Sequence, residues 1–203
     1  MNTIPVTFGN EIFNLTEEQV NCMKRALGIN RRRLSEVAIG DTFKVTGIEF
    51  IKFTEEAGEA IAVSKDILFN EKFDDNTNNF AKSYLLKKLV KEFLPKIADA
   101  IGNENVLKFD TDLTSLDGLD DYGTVSSKIS LPTFDFYRKH VKIFDKYKAN
   151  KWWWLSTPDS TPTHGCGFDV RCVNDRGSLY GDICYDTIGV RPFCIFKSLI
   201  FVS

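Results

Sequence analysis

The sequence lacks a large net charge, a long apolar run and the pattern of a secretory signal peptide. Its 203 residues carry 26 Lys and Arg against 28 Asp and Glu, so the net charge of -2 gives no sign of general nucleic-acid affinity. The first residues show no basic stretch followed by an apolar core, and no apolar run approaches the roughly 20 residues that cross a bilayer. We expect a cytoplasmic protein without a membrane partner.

Histidine is scarce, and the cysteines do not form an even set. The two histidines, His140 and His164, are too few for a convincing nucleophile–base–acid triad, so no catalytic residue is assigned. Five cysteines in a chain without a secretion signal predict reduced thiols and not a disulfide framework. The sequence therefore predicts a non-enzymatic protein with no cofactor.

Three residues near the C-terminal third could still donate to a metal. His164, Cys166 and Cys172 offer three zinc ligands, but a fourth is not evident and the spacing is not that of a zinc module. Cys166 and Cys184 lie in irregular surroundings where a redox or copper role would need them to approach each other. We expect no metal from either set.

What the chain does contain is an ordinary apolar fraction of 43% and as many as 17 phenylalanines, which favours β-rich packing. Its length fits one domain with a small appendage. We divide it into an N-terminal extension at residues 1–36 and a domain at residues 37–203.

The extension is predicted to be a hairpin followed by a short helix. Gly9-Asn10 is a favourable turn between two short strand patterns, and Thr16 with Gln19 forms a capping box. Two interpretations stay open, a helix docked on its own domain and an arm for dimerisation or partner binding. The arm would use the apolar side of the helix and the basic cluster after it: Val20, Met23, Leu27, Arg31, Arg32 and Arg33.

From residue 37 the pattern changes to short strands with a few helices. Alternating segments at 41–45, 48–53 and 60–64 predict an antiparallel meander. Helices are expected at 80–93, at 95–101 and at 134–140, and strands at 168–173 and 193–196. This is the pattern of an α+β fold.

Three adjacent tryptophans, Trp152, Trp153 and Trp154, cannot all face one way because a strand alternates sides at every residue. They are either core residues or a binding rim, where Trp and Tyr are enriched. Three further residues of this candidate rim are expected on the loop between the last two strands. The rim then consists of Trp152, Trp153, Tyr180, Asp182 and Tyr185.

An acidic loop offers carboxylates that calcium prefers, although it lacks the bidentate Glu of an EF-hand. Asp residues also make turns and caps without a metal, and this second interpretation is the one we favour. The calcium candidates are Asp110, Asp112, Asp117, Asp120 and Asp121. Arg191 is expected to be buried and paired with Asp169 or Asp121.

Several motifs, in order along the chain, resemble the DUF6273 family, which is found in Firmicutes and in their phages and prophages. They are Gly40-Asp41-Thr42-Phe43, Gly47-Ile48-Glu49-Phe50, Ser64-Lys65-Asp66, Thr114 to Gly118, Asp121-Tyr122-Gly123, Trp153 to Pro158, Val173 to Ser178 and Gly189-Val190-Arg191-Pro192. The resemblance spans residues 37–203. It implies a compact C-type-lectin-like mixed domain, similar to the fold of the formylglycine-generating enzyme, while members are themselves of unknown function.

Our functional hypothesis is a phage- or prophage-type protein that binds and occludes a host bacterial protein inside the cell, as an inhibitor or adaptor. Counter-defence, such as anti-CRISPR action, belongs to this class. The alternative is a lectin-like receptor-binding module of a virion or surface, which calcium dependence would support. A third is an enzyme of the formylglycine-generating type, which needs a reactive cysteine pair. A homodimer is the alternative to a host partner.

Overall fold

The computed structural model describes residues 3–26 and 31–203, and these divide into two compact units, residues 1–32 and residues 33–202. The smaller unit consists of β1 (Thr3–Phe8), β2 (Glu11–Thr16) and α1 (Glu17–Ala26). The Thr16 N–H donates to the Gln19 side chain and the Gln19 N–H to the Thr16 hydroxyl, at 2.9 and 3.2 Å. The predicted hairpin and capping box are therefore confirmed.

The strands of the larger unit are mostly short. After β3 (Arg32–Arg33), which lies at the boundary of the units, they are β4 (Thr42–Val45), β5 (Ile48–Glu56), β6 (Glu59–Ser64), β7 (Phe69–Lys72), β8 (Val106–Leu107), β9 (Phe109–Asp112), β10 (Thr124–Ser127), β11 (Trp153–Pro158), β12 (Asp169–Val173), β13 (Leu179–Ile183), β14 (Thr187–Val190), β15 (Phe193–Lys197) and β16 (Phe201–Val202).

Helices occupy two stretches of the larger unit. The first stretch contains α2 (Tyr84–Lys88), a π-helical turn (Leu89–Phe93) and α3 (Leu94–Ile101), and the second contains α4 (Phe134–Lys139) and α5 (Val141–Lys146). Short 3-10 turns lie at Leu34–Glu36, Phe80–Lys82, Asn103–Asn105 and Pro162–His164. The mixed α+β class predicted from the sequence is confirmed.

Two five-stranded sheets form the larger unit. The first, in the order β4-β5-β6-β15-β8, is antiparallel and contains the predicted meander. The second has the order β13-β12-β11-β14-β7, in which β11 and β14 run parallel. Strands β9 and β10 form a separate hairpin that carries the acidic loop.

The helix predicted at 80–93 is interrupted. The Ser83 hydroxyl accepts the Leu86 N–H at 3.1 Å, so a new helix begins after the 3-10 turn. Pro95 cannot donate a backbone hydrogen bond, and it lies at the start of α3 directly after the π-helical turn. The Ser83 cap therefore divides a segment that its apolar spacing predicted as one helix, and Pro95 lies in the first turn of the helix that follows.

Candidate functional site

The tryptophan run crosses both faces of β11. Trp154 packs in the larger core cluster with Phe73 and donates its indole N–H to the Glu71 carbonyl at 2.9 Å. Trp153 packs in the second cluster against Tyr137 and Phe144. Both side chains are at most 2% exposed because packed clusters lie on both sides of this strand. Trp153 is therefore not a rim residue, and that prediction is corrected.

Trp152, one residue before β11, is different. Its side chain is 36% exposed, and its ring lies 5.2 Å from the ring of Tyr180, which is 48% exposed. We call these two residues the aromatic pair. Tyr180 and Asp182 were expected on a loop, but they lie on β13, the edge strand of the second sheet. The structure thus brings together two of the predicted rim residues, from segments 28 positions apart.

Tyr185 and Asp182 have other surroundings. Tyr185 is exposed in the turn after β13, and no ring contact of its side chain is seen among the described residues. Burial raises the pKa of Asp182, and its hydrogen bond and charge repulsion with Asp186 raise that pKa further. Asp182 lies two positions from Tyr180 on the same strand and therefore on the same face of it.

A groove of about 400 Å³ lies beside the aromatic pair. It is lined by Asn70, Asn150, Lys151, Trp152, Asp175, Thr187 and Ile188. The polar residues of this groove were not predicted, since they come from four separate segments of the chain. Trp152 was the sequence signal that could have indicated it, because aromatic residues are enriched at protein interfaces.

The acidic loop is bound to residues 160–164 through the carboxylates of Asp117 and Asp121, and we call this set of hydrogen bonds the loop clamp. The Asp117 carboxylate accepts the Ser160 hydroxyl at 2.6 Å and lies 2.9 Å from Nδ1 of His164, and it also accepts the Ser115 hydroxyl. Asp121 accepts the Thr161 and Thr163 hydroxyls. The hydrogen bond from Ser115, followed by those from Ser160 and His164, holds the pKa of Asp117 well below its usual range. These bonds tie the loop to residues 160–164.

The calcium hypothesis for this loop is not supported. Within residues 3–26 and 31–203, no group of three or more His, Cys, Asp or Glu side chains could hold a metal ion. Asp112 accepts from the N–H and hydroxyl of Thr114, while Asp110 and Asp120 are exposed. Of these carboxylates, Asp112 is the acceptor of a turn, as the sequence favoured, whereas Asp117 and Asp121 bind hydroxyl groups of residues 160–163.

His140 and four of the cysteines are packed or hydrogen-bonded within the fold. His140 is half-buried against the rings of Phe53 and Phe136, and this burial lowers its pKa. The Cys166 thiol donates to the Asp169 carboxylate at 3.0 Å. Burial raises the pKa of the three buried thiols, Cys172, Cys184 and Cys194. A thiol with a raised pKa is a poor nucleophile at neutral pH.

Arg191 is buried as predicted, but its expected partners are wrong. Its Nε donates to the Ser64 carbonyl at 3.0 Å, and it forms no ion pair with Asp169 or Asp121. Asp169 binds the Cys166 thiol, and Asp121 binds threonine hydroxyls. Asp169 begins β12 and Asp121 lies in the acidic loop, whereas Arg191 is bound at the end of β6, at Ser64.

The candidate arm belongs to the smaller unit except for Arg33, the first residue of the larger unit. Val20 is 9% exposed and Met23 is half-buried, while Leu27 is outside the described residues. The cluster at residues 31–33 is exposed, and Arg33 lies 5.9 Å from the ring centroid of Phe201. The hairpin also exposes large apolar side chains that the sequence prediction did not assign to the arm: Ile4, Phe8, Ile12 and Phe13.

None of the helices in the described ranges is both long enough and apolar enough to cross a membrane. The fold and the surface features define a small mixed α+β domain with an exposed aromatic pair beside a polar groove.

Residues 113–198 match the family model "Domain of unknown function (DUF6273)". Over this segment the match confirms the family prediction. The motifs quoted before Leu113 lie outside the matched segment. Comparison with curated proteins and with solved structures gave no match. The C-type-lectin-like fold and the phage origin stay predictions.

Proposed function

We propose that this protein is a non-enzymatic protein-binding domain that acts by occluding a partner, as an inhibitor or adaptor. The observation that carries the proposal is the aromatic pair, two large exposed rings in contact with each other, of which that of Tyr180 lies on an edge strand. Trp and Tyr supply a large share of the binding energy in protein interfaces, because each buries a large apolar area and offers a polar handle.

The position of the pair supports recognition of a protein. Tyr180 is on an edge strand, where an extended segment of a partner can add its backbone to the sheet. The groove next to Trp152 offers one cation and one anion, Lys151 and Asp175, which would fix the orientation of that segment. Apolar anchors surrounded by polar groups are the usual composition of an interface.

The state of the reactive side chains also favours binding over catalysis. His164 contacts a carboxylate that already accepts two hydroxyl groups, so its hydrogen bond belongs to the loop clamp. The buried thiols have raised pKa values, which disfavours the thiolate that a formylglycine-generating type of reaction needs. Calcium in the acidic loop would have supported the receptor-binding alternative, but the Asp121 carboxylate of that loop accepts the hydroxyls of Thr161 and Thr163.

The finer form of the proposal is a protein of a phage or prophage that occludes a protein of its bacterial host. Counter-defence proteins, including anti-CRISPR proteins, act in this way. Its support is the family resemblance and the modest size of the chain, and the partner's identity is the first thing to measure.

The test is affinity capture from a bacterial lysate with the tagged full chain and three variants: Trp152→Ala, Tyr180→Ala and, as a matched control, Tyr84→Ala. Tyr84 is 41% exposed, which makes it an aromatic residue of similar exposure outside the aromatic pair. We expect one stoichiometric protein whose affinity falls about 30-fold or more in either pair variant, the size of a hot-spot loss. Equal retention by all variants, with unchanged circular-dichroism melts, would contradict the proposal.

A second set of variants separates the arm from the aromatic pair. Phe8→Ser and Phe13→Ser remove exposed rings from the hairpin, where they lie 5.9 Å apart. If capture depends on these rings and not on Trp152 and Tyr180, the partner binds the smaller unit and the proposed site is wrong. Gel filtration of the same variants shows whether the arm forms a homodimer.

A further inference from the structure

Strand β9 has one edge that no other strand covers. Within the described part of the larger unit it pairs with β10 and with no second strand. The Leu113 N–H donates to the Gly123 carbonyl at 2.9 Å. Hydrogen-bonded residues alternate along an antiparallel pair, so the N–H and C=O groups of Thr111 also face β10. Those of Asp110 and Asp112 therefore face the free edge, where another strand can bind them.

A groove of about 230 Å³ follows this edge, and all four residues of β9 line it. Phe109 and Thr111 project their side chains from one face of the strand. Asp110 and Asp112 project theirs from the other face, so only the edge of the strand is common to all four. A second groove of about 370 Å³ shares Asp112 with the first and continues to Leu116. The two grooves together give room for an extended chain.

One wall of the first groove is aromatic. The ring centroid of Phe193 lies 5.1 Å from that of Phe109 and 5.0 Å from that of Phe136, and all three residues line the groove. Leu131 extends this apolar surface. Phe109 and Phe136 are half-buried, so part of each ring is available for contact. An apolar side chain of a ligand would bury itself against these rings.

The other face of β9 presents carboxylates that are available for a cation. Asp110 is exposed and shows no hydrogen bond or ion pair among the described residues. Asp112 accepts the Thr114 N–H and hydroxyl through Oδ1, which leaves Oδ2 for a ligand. Arg138 lines the second groove, but it is ion-paired with Asp135 at 2.8 Å, so these two charges offset each other. The charge along the edge of β9 therefore complements a basic ligand.

The alternation of β9 defines which segment fits. Residues directly opposite each other in paired strands project their side chains from the same face. A residue opposite Asp110 or Asp112 would lie beside a carboxylate. The residue between these two, opposite Thr111, would face the aromatic wall. The matching segment therefore has basic residues that alternate with apolar ones.

We propose that the free edge of β9 binds an extended segment of a partner protein in which basic and apolar residues alternate. The segment pairs antiparallel, the more stable orientation, and its main chain bonds the N–H and C=O groups of Asp110 and Asp112. Neither groove along β9 shares a lining residue with the groove beside the aromatic pair. The edge of β9 is therefore a second binding surface, separate from the one that carries the proposed function.

The test measures fluorescence anisotropy of three labelled peptides with blocked ends against the full chain. The peptides are Lys-Val-Lys-Val-Lys, Lys-Lys-Lys-Val-Val and Glu-Val-Glu-Val-Glu, of which the first two have the same charge and composition. We expect the first peptide to bind about tenfold more tightly than the other two, because it alone places both residue types on their proper faces. Methylation of the main-chain nitrogen of its middle lysine should weaken binding about fivefold, because it removes a donor to β9.

Asp110→Lys tests the charge, and Asp99→Lys, at an exposed carboxylate on α3, is its control. We expect the affinity for the alternating peptide to fall about fivefold or more in Asp110→Lys and to stay unchanged in Asp99→Lys. Equal affinities in these two variants would contradict the proposal.

Amide hydrogen exchange locates the bound peptide. The amides of Asp110 and Asp112 should gain protection with the alternating peptide, while that of Thr111, which already faces β10, should change little. The amide of Tyr180 on the edge strand β13 should not change, which separates this surface from the aromatic pair. Equal binding of the three peptides, binding by none of them, or protection at Tyr180 in place of Asp110 would overturn the proposal.

Discussion

Trp153 and Trp154 are neighbours in the chain and are both buried, yet their side chains belong to different core clusters on opposite faces of β11. One strand therefore joins the two halves of the interior. The residue before them, Trp152, is the one that remains at the surface. Three identical side chains in sequence thus have three different roles, and each role can be measured.

The first prediction concerns the stability of these tryptophan variants. Trp153→Ala and Trp154→Ala should each lower the free energy of unfolding by about 3–5 kcal/mol, because each leaves a large cavity in a packed cluster. Trp152→Ala should cost clearly less, since its ring is partly in water. Guanidinium unfolding followed by circular dichroism measures all three. Equal losses would show that the burial assigned to these rings is wrong.

The second prediction concerns the pH dependence of the loop clamp. Hydrogen bonds to Asp117 lower its pKa in the folded state, so the clamp contributes stability above the unfolded value of about 3.8 and loses it as the pH falls through the lower folded value. The protection factors of amide hydrogen exchange at residues 159–168 should therefore fall as the pH drops below about 3.8. They should be low already at neutral pH in Asp117→Asn.

Asp110→Asn is the control for this experiment, because the exposed Asp110 carboxylate shows no hydrogen bond or ion pair among the described residues. Its exchange profile should follow that of the unaltered protein. Identical profiles for Asp117→Asn and the unaltered protein would contradict the clamp.

The third prediction concerns thiol reactivity. Cys22 is exposed and Cys166 is half-exposed, whereas burial raises the pKa of Cys172 to about 12 and also raises those of Cys184 and Cys194. We expect a disulfide reagent at pH 8 to modify Cys22 first and Cys166 more slowly. The other three should react only in denaturant. Cys22→Ser and Cys166→Ser assign the two phases, and five fast thiols in the native protein would refute this order.

The fourth prediction concerns the close approach of β14 to the tryptophan run. A Cβ atom on Gly189 would meet the Ile67 side chain and would lie 2.8 Å from the Trp152 carbonyl oxygen, to which the Gly189 N–H donates. Gly189→Ala should therefore cost about 1–3 kcal/mol, as overpacking does.

Gly181→Ala is the matched control, since its Cβ would find its nearest neighbour at 3.4 Å, an ordinary contact with a flexible arginine side chain. Chemical unfolding compares the two glycine variants. A Gly189→Ala protein as stable as Gly181→Ala would show that the backbone of β14 can move away from Trp152.

Much of the local structure could be predicted because it depends on neighbours in sequence. The Gly9-Asn10 hairpin and the Thr16–Gln19 capping box are settled within a few residues, and the meander follows from alternation at period two. The ordered motifs were enough for the family, and residues 113–198 confirm it. Strand β13 was read as a loop because its sequence, with Gly181 and Asp182, has weak strand character.

The candidate site could be predicted only in part. Trp152 and Tyr180 were both proposed, but the sequence offered Trp153 equally, since a strand that is buried on both faces cannot be told from an amphipathic one by a run of identical residues. The groove was not foreseen, and neither was the Ser64 carbonyl as the acceptor for Arg191. The lining of the groove comes from distant segments, and no spacing in the sequence relates Ser64 to Arg191.

The sequence by itself determined the α+β class, the family and the hairpin-helix start, because these depend on periodicity, capping and short motifs. Only the tertiary structure decided which tryptophan meets solvent, that the acidic loop binds hydroxyl groups, and that Arg191 is buried without a carboxylate partner. These outcomes depend on how segments that lie far apart in the chain pack against each other. Burial and charge compensation are properties of those contacts and not of the local sequence.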